Sequence, residues 1–153
     1  MKILSSVLLG LGLIFGANAA NITVYYSPTC PHCHNVRDFI NNELIYEYDD
    51  MKVYEVNAAN PDNRQIFIDA LSKCEYKTGG VPVLVIGEKC FQGYSKSMQG
   101  DIRAAIEVDL TDAQKKTVAE NKNAFDKDKE SFVSSRLDRR QAIINKDSVK
   151  KNK

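Results

Sequence analysis

The chain has 153 residues, 27% of them charged, with a formal net charge of +1. This length allows one domain with one hydrophobic core, and so balanced a charge gives no reason to expect a nucleic-acid partner. The charge is unevenly distributed: residues 21–110 hold 13 acids and 8 bases, whereas residues 111–153 hold 7 acids and 12 bases. An acidic body therefore precedes a basic, lysine-rich tail.

The first 19 residues have the pattern of a secretory signal peptide. Lys2 precedes a short uncharged apolar stretch, which ends in the small residues Ala17-Asn18-Ala19. A basic start, a short apolar run and an A-x-A site predict cleavage after Ala19. The run is shorter than the roughly 20 residues that span a bilayer, which disfavours a retained anchor. No cysteine lies near the cleavage site, which argues against a lipid attachment. We predict export, to a periplasm, with no transmembrane segment after cleavage.

The mature chain begins with a strand-helix-strand pattern. Ile22–Tyr26 alternates and is rich in β-branched and aromatic residues, which predicts a strand. From Pro31 onward, apolar residues recur at spacings of three and four, which predicts a helix. Residues 51–56 alternate again and predict a second strand. This order implies a right-handed crossover and parallel pairing of the two strands.

The next segment predicts a helix, a hairpin and a last helix. Asn60 and Pro61 are typical of a helix start, and this second helix should end near Cys74 with Ile66, Phe67, Ala70 and Leu71 on its buried face. Val83–Ile86 predicts a third strand and residues 89–91 its hairpin partner. After residues 93–95, a last helix should carry the core residues Met98, Ile102, Ala105 and Ile106. Residues 20–110 thus predict an α/β fold of order β-α-β-α-β-β-α with a four-stranded mixed sheet.

Residues 111–153 predict a charged helical extension outside this domain. Thr111 and Gln114 fit a capping box, and Val118, Phe125 and Phe132 recur every seven residues among many lysines and acids. We expect one or two exposed helices that pack loosely on the body and fray after about Asn145. They serve either as a solvated extension or as a docking or dimerising helix.

The motif Cys30-Pro31-His32-Cys33 carries the clearest chemical signal. It lies where a predicted strand enters a predicted helix, and the partial positive charge of a helix N-terminus stabilises a thiolate there. Cys30 would then attack and Cys33, one turn inside, would resolve the mixed disulfide. Pro31 fits the first helical turn, and His32 beside the sulfur favours thiolate, which makes the disulfide a stronger oxidant. We predict thiol-disulfide exchange by a redox-active disulfide, with no cofactor or metal.

Two stretches resemble the thioredoxin superfamily. Residues 24–33 resemble the active-site segment of glutaredoxins, and the Pro31-His32 pair is that of the bacterial periplasmic disulfide oxidases of the DsbA type. Residues 80–87 resemble the superfamily's cis-proline strand. The resemblance implies that Pro82 is cis beside Cys30 and that Val81 offers backbone hydrogen bonds to a bound peptide. We also predict a separate redox partner protein.

Two departures from these families affect the substrate prediction. The chain between Cys33 and Pro82 is too short for the helical insertion of the DsbA-type oxidases. The positions at which glutaredoxins bind glutathione, often a lysine before the motif and Gly-Gly-Asp after the hairpin, read Ser27-Pro28-Thr29 and Gly93-Tyr94-Ser95 here. These departures favour a protein or peptide thiol over glutathione as the substrate. A glutathione-linked reductase remains the alternative, and oxidase, reductase and isomerase share this motif.

His34 raises other classes of function. C-P-H-C-H also fits the C-x-x-C-H signature of c-type haem attachment, with Met98 as a possible distal ligand. The preceding strand, the stiff Pro31 and the Pro82 strand disfavour a cytochrome. A thiol-based metal chaperone is a further alternative, although four ligands within five residues are too crowded for a closed site on one chain.

Cys74 and Cys90 form the second cysteine pair. In the expected fold, the end of the second helix and the hairpin turn lie on the same side, away from the motif. We predict a structural Cys74–Cys90 disulfide that closes a loop of about 15 residues. A relay pair for Cys30 and Cys33, or two separate thiols, are the alternatives.

Overall fold

The computed structural model describes residues 18–149, with side chains as far as residue 147. The predicted signal peptide therefore lies outside the described residues except for Asn18 and Ala19. Ala19 is buried, and its N–H group donates to the Asp50 carboxylate at 3.3 Å. Within the described part of the chain, no helix combines the length and the apolar character needed to span a bilayer.

A five-stranded mixed sheet forms the centre of the molecule, with the strand order β4-β3-β1-β2-β5. Strands β1 and β2 are parallel, β3 is antiparallel to both β1 and β4, and β5 is parallel to β2. The first four strands follow the predicted chain order, with β1 and β2 parallel and β3 and β4 forming the antiparallel hairpin, which confirms the thioredoxin-like α/β fold. The strands are β1 (Ile22–Tyr26), β2 (Val53–Asn57), β3 (Val83–Ile86), β4 (Lys89–Gln92) and β5 (Ile143–Asn145).

The helices lie at the predicted places, with shorter turns around them. Helix α1 continues through a π-helical turn (Ile40–Leu44) into α2, and 3₁₀ turns (Pro61–Asn63, Lys96–Met98) precede α3 and α4. The remaining helices belong to the tail. The bounds are α1 (Pro31–Phe39), α2 (Ile45–Glu47), α3 (Arg64–Lys73), α4 (Gln99–Ile106), α5 (Asp112–Lys127), α6 (Lys129–Ser134) and α7 (Lys146–Val149).

Helix α1 covers one face of the sheet and helix α3 covers the other. Arg37 of α1 stacks on Tyr26, which lies on the same face of β1 as the fully buried Val24, so α1 packs on that face. Phe67 of α3 packs on Tyr25, which points to the opposite face. Helix α3 buries little: Ile66, predicted to lie in the core, is 43% exposed. The apolar spacing predicted this helix correctly, but α3 contacts the sheet mainly through Phe67 and Ala70.

The C-terminal tail is part of the fold, which corrects two predictions. Strand β5 pairs with β2, so the sheet has five strands rather than four. Phe125 of α5 is buried, so the tail packs on the body and is not a solvated extension, although most residues of α5 and α6 are exposed, as expected. The predicted capping box of Thr111 and Gln114 is present. The chain also forms the short helix α7 directly after Asn145, where fraying was expected.

Candidate active site

Cys30 is the N-cap residue of α1. Its backbone is extended, with φ −91° and ψ 115°, and its Sγ accepts a hydrogen bond of 3.2 Å from the Cys33 N–H group. Pro31 occupies the first helical position, where a missing N–H group costs nothing because that group has no partner within the helix. The sulfur of Cys30 therefore takes the place that a serine or aspartate oxygen takes in an ordinary N-cap, facing the positive end of the helix.

Cys30 and Cys33 form a disulfide, with their Cα atoms 5.2 Å apart. The two residues differ in access: Cys33 is only 1% exposed, whereas Cys30 is partly exposed. A thiolate arriving from solvent can reach the Cys30 sulfur but not the Cys33 sulfur. This asymmetry matches the attacking and resolving roles predicted for the two residues, which remain predictions.

The segment before β3 faces the Cys30 sulfur. The Val81–Pro82 peptide bond is cis, as the resemblance implies, and the Val81 carbonyl oxygen lies 3.6 Å from Cys30 Sγ. Pro82 is buried, and its carbonyl accepts a hydrogen bond of 2.8 Å from the Gly93 N–H group. Gly93 has φ +78°, a conformation that glycine adopts without steric cost. The structure thus brings Val81 and Pro82, distant in sequence, beside the motif.

The two histidines of the motif region point to different surroundings. His34 is exposed, and its Nε2 atom lies at hydrogen-bond distance, 2.9 Å, from the Pro28 carbonyl oxygen. His32 is also exposed, and it lines an open groove of about 440 Å³ between α1 and the start of α4. Only His32 therefore faces a space that a substrate could occupy beside the motif.

The groove next to His32 has walls of opposite charge. Asp38 and Glu43 lie on the α1 side, and Lys96 lies on the other side. Phe39 and Tyr94 line it between these charges, with ring centroids 6.0 Å apart in a stacked arrangement. Such a lining suits a polypeptide segment, which offers both apolar and charged groups, better than it suits an apolar ligand.

Helix α1 is fixed to the sheet by a partly buried ion pair that was not predicted from the sequence. Arg37 donates to both carboxylate oxygens of Glu55, at 3.0 and 2.9 Å, and the Glu55 side chain is 5% exposed. The hydrogen bond to Glu55 raises the pKa of Arg37. The alternating pattern of β2 could have predicted this contact. Glu55 is two residues from the inward-facing Val53, so its side chain points to the same face of the strand.

The second pair, Cys74 and Cys90, forms a disulfide with a Cα–Cα distance of 5.8 Å. It joins the end of α3 to β4, which is the pairing predicted. Cys90 lies opposite Val85, three residues along β3 from Pro82. At about 3.3 Å per residue, this places the pair roughly 10 Å farther from the motif along the sheet. That separation favours the structural role over a direct relay.

Metal ligands are not clustered here. Among residues 18–149, no group of three or more histidines, cysteines or acids is arranged to hold a metal ion. The two cysteines of the motif form a disulfide with each other in this structure.

Comparison with known proteins gives one structural likeness. The crystal structure of a glutaredoxin from Archaeoglobus fulgidus shares 24% sequence identity with this chain. The alignment covers 54% of this chain and 84% of the glutaredoxin chain, with a TM-score of 0.41. No protein-family model matches the chain, and neither does any curated protein. A likeness of this size carries no argument about function, which depends on the contacts described above.

Proposed function

We propose that this protein is a thiol-disulfide oxidoreductase that exchanges disulfides with protein or peptide thiols. One observation carries the proposal: the partly exposed Cys30 sulfur lies at the N-terminus of α1, 3.6 Å from the carbonyl oxygen that precedes a cis-proline. A helix N-terminus stabilises the thiolate that attacks in exchange and also the thiolate that leaves. A disulfide with a purely structural role needs neither that position nor an accessible sulfur.

In the proposed oxidation, a substrate thiolate attacks Cys30 Sγ. The Cys30–Cys33 bond breaks, a mixed disulfide forms between the substrate and Cys30, and Cys33 leaves as a thiolate that takes up a proton. A second substrate thiol, once deprotonated, attacks the substrate sulfur of the mixed disulfide and releases the Cys30 thiolate. The substrate loses two electrons and two protons overall, and the protein becomes a dithiol. A partner disulfide must then reoxidise it.

The substrate backbone would run beside Val81. The Val81 carbonyl lies against the Cys30 sulfur, so a substrate strand that pairs with Val81 brings its own cysteine sulfur to the attack position. The groove beyond His32, with Asp38 on one side and Lys96 on the other, would accept residues flanking the substrate cysteine. These surroundings support a polypeptide substrate rather than a small thiol.

The proposed direction is oxidation. The exposed His32 lies between the two cysteines on the first turn of α1, where its positive form stabilises the Cys30 thiolate. Stabilising the reduced form makes the disulfide a stronger oxidant. The family resemblance of Pro31-His32 supports the same direction.

The proposed place of action is the periplasm, after removal of residues 1–19. This part of the proposal comes from the sequence pattern at the N-terminus. It carries one structural condition: Ala19 is buried in the folded chain, so a peptidase must cut after it before folding is complete. Amino-terminal sequencing of the exported protein tests it, with Ala20 as the expected first residue.

The reduction potential of Cys30–Cys33 tests the function and its direction. The purified mature chain is equilibrated in glutathione buffers, and the dithiol fraction is trapped by alkylation. We expect a potential near −120 mV, which is typical of strong disulfide oxidants; a value near −270 mV would refute the oxidase. Cys30→Ser should abolish oxidation of a reduced two-cysteine peptide. A wild-type protein that does not oxidise, reduce or isomerise such peptides would refute the whole proposal.

The same sample separates this function from haem attachment. A c-type site would need thioether bonds at both sulfurs and the His34 ring on iron. His34 Nε2 instead lies against the Pro28 carbonyl, which favours the exchange function. A Soret band in the absorption spectrum of the purified protein would overturn the exchange function. Bound metal in the same protein would favour the metal chaperone.

A further inference from the structure

The loop that leads to Val81 has few contacts of its own. Residues 75–80 are exposed apart from the partly buried Tyr76, and the loop ends in Gly79-Gly80. Side-chain packing on these glycines is slight: a Cβ atom at Gly79 would meet only Phe67 and Leu71, at 3.8 and 4.0 Å. A glycine-rich exposed segment has many accessible conformations, so its position depends on hydrogen bonds from outside it.

Gln92, the last residue of β4, supplies such hydrogen bonds. Its Nε2 atom donates to the Thr78 carbonyl and to the Gly80 carbonyl, each at 2.9 Å. A side-chain amide nitrogen carries two hydrogens, so both bonds form at once. The next residue, Gly93, holds the Pro82 carbonyl. The end of β4 thus forms hydrogen bonds with the chain on both sides of Val81.

We propose that Gln92 is a positioning residue for disulfide exchange. Its hydrogen bonds to the Thr78 and Gly80 carbonyls fix the peptide group between Gly80 and Val81. The Val81 backbone therefore stays beside Cys30 in the orientation that a substrate strand needs. The inference rests on the proposed function and adds to it a residue outside the motif. It does not require Gln92 to touch the substrate or either sulfur.

Gln92→Glu is the sharpest test of this role. The carboxylate cannot donate, and it would face two carbonyl oxygens that repel it, so the loop must move away. Gln92→Ala removes the donor without adding charge and should give a smaller effect in the same direction. Gln65→Glu is the matched control, because Gln65 is another glutamine outside the core and its Nε2 atom donates to a surface residue, Asp69, at 2.8 Å.

Kinetics with a reduced two-cysteine peptide distinguish positioning from general damage. We expect Gln92→Glu to raise KM roughly tenfold, as the loss of two hydrogen bonds suggests, with kcat nearly unchanged. Alkylation of the Cys30 thiol by iodoacetamide should proceed at the wild-type rate, because this reagent needs the helix N-terminus and not the loop. An unchanged KM, or alkylation that slows in parallel with turnover, would overturn the proposal. Gln65→Glu should match the wild type in both assays.

Cleavage by trypsin after Lys77 reports on the loop without any exchange activity. Gln92→Glu should increase the initial rate of this cut about tenfold, while cuts elsewhere in the chain and the far-ultraviolet circular dichroism spectrum stay unchanged. An unaltered rate after Lys77 would also overturn the proposal. If the wild type fails to act on peptides, the proposed function fails, and the Lys77 rate still decides whether Gln92 orders the loop.

Discussion

The Arg139 Nη2 atom donates a hydrogen bond of 2.7 Å to the Met51 carbonyl oxygen. The same guanidinium donates to the Tyr48 carbonyl at 2.8 Å and, through Nε, to the Ile45 carbonyl at 2.9 Å. One side chain of the tail therefore satisfies three backbone groups where α2 ends and the chain turns toward β2. This contact explains why the tail is part of the domain despite its lysine-rich sequence.

Replacing Arg139 should destabilise the whole domain. Arg139→Ala leaves three partly buried carbonyls without their charged donor, and we expect the free energy of unfolding to fall by roughly 2–4 kcal/mol. Arg140→Ala is the control, since that exposed neighbour makes one hydrogen bond of 3.2 Å, to the Tyr46 hydroxyl. It should cost under about 1 kcal/mol. Urea unfolding followed by circular dichroism gives both values, and equal losses would contradict the role assigned to Arg139.

The sequence predicted the parts of the fold that local patterns determine. Strands β1 and β3, the start of α1 and the hairpin follow from alternation, turn residues and helical spacing. Strand β5 could not be predicted, because three residues between charged segments carry too little pattern and their pairing with β2 depends on Arg139 and on the helices before it. The motif was visible in the sequence, whereas the Gln92 contacts depend on how the hairpin meets the loop.

Tyr48 should make the protein sensitive to alkaline pH. Its side chain is buried and donates to the Glu107 carboxylate at 2.6 Å, and burial, with that hydrogen bond, raises the pKa of Tyr48 far above its ordinary value. In the unfolded chain this phenol ionises near pH 10, whereas the folded chain keeps it neutral. The stabilisation is complete below pH 10 and is lost above it, by about 1.4 kcal/mol per pH unit.

Comparison with Tyr48→Phe isolates this effect from the other tyrosines. Phenylalanine should cost about 1 kcal/mol at pH 7, because the bond to Glu107 is lost. The wild type should then lose stability faster than the variant between pH 10 and pH 11, so that the two values converge. Urea titrations of the oxidised protein at several pH values measure this. Parallel pH curves for the two proteins would show that Tyr48 does not ionise on unfolding.

His32 should set the reduction potential. His32→Ser removes the side chain proposed to favour the Cys30 thiolate, so we expect the potential to fall by roughly 30 mV or more, a tenfold change in the exchange equilibrium. His34→Ser is a matched control, since His34 is also exposed on the first turn but lies against the Pro28 carbonyl. Glutathione titration measures both variants. A shift as large in the control, or a rise in His32→Ser, would argue against this role.

The Cys74–Cys90 disulfide should stabilise the domain without taking part in exchange. It ties α3, which buries little surface of its own, to β4, and it lies roughly 10 Å along the sheet from Pro82. The double variant Cys74→Ala/Cys90→Ala should lose about 3 kcal/mol of unfolding free energy, as expected for a loop of this length. The potential of Cys30–Cys33 should stay at the wild-type value, and the peptide should still be oxidised. A relay pair predicts a different result: loss of repeated turnover with an intact first oxidation, because electrons could then no longer leave the Cys30–Cys33 dithiol.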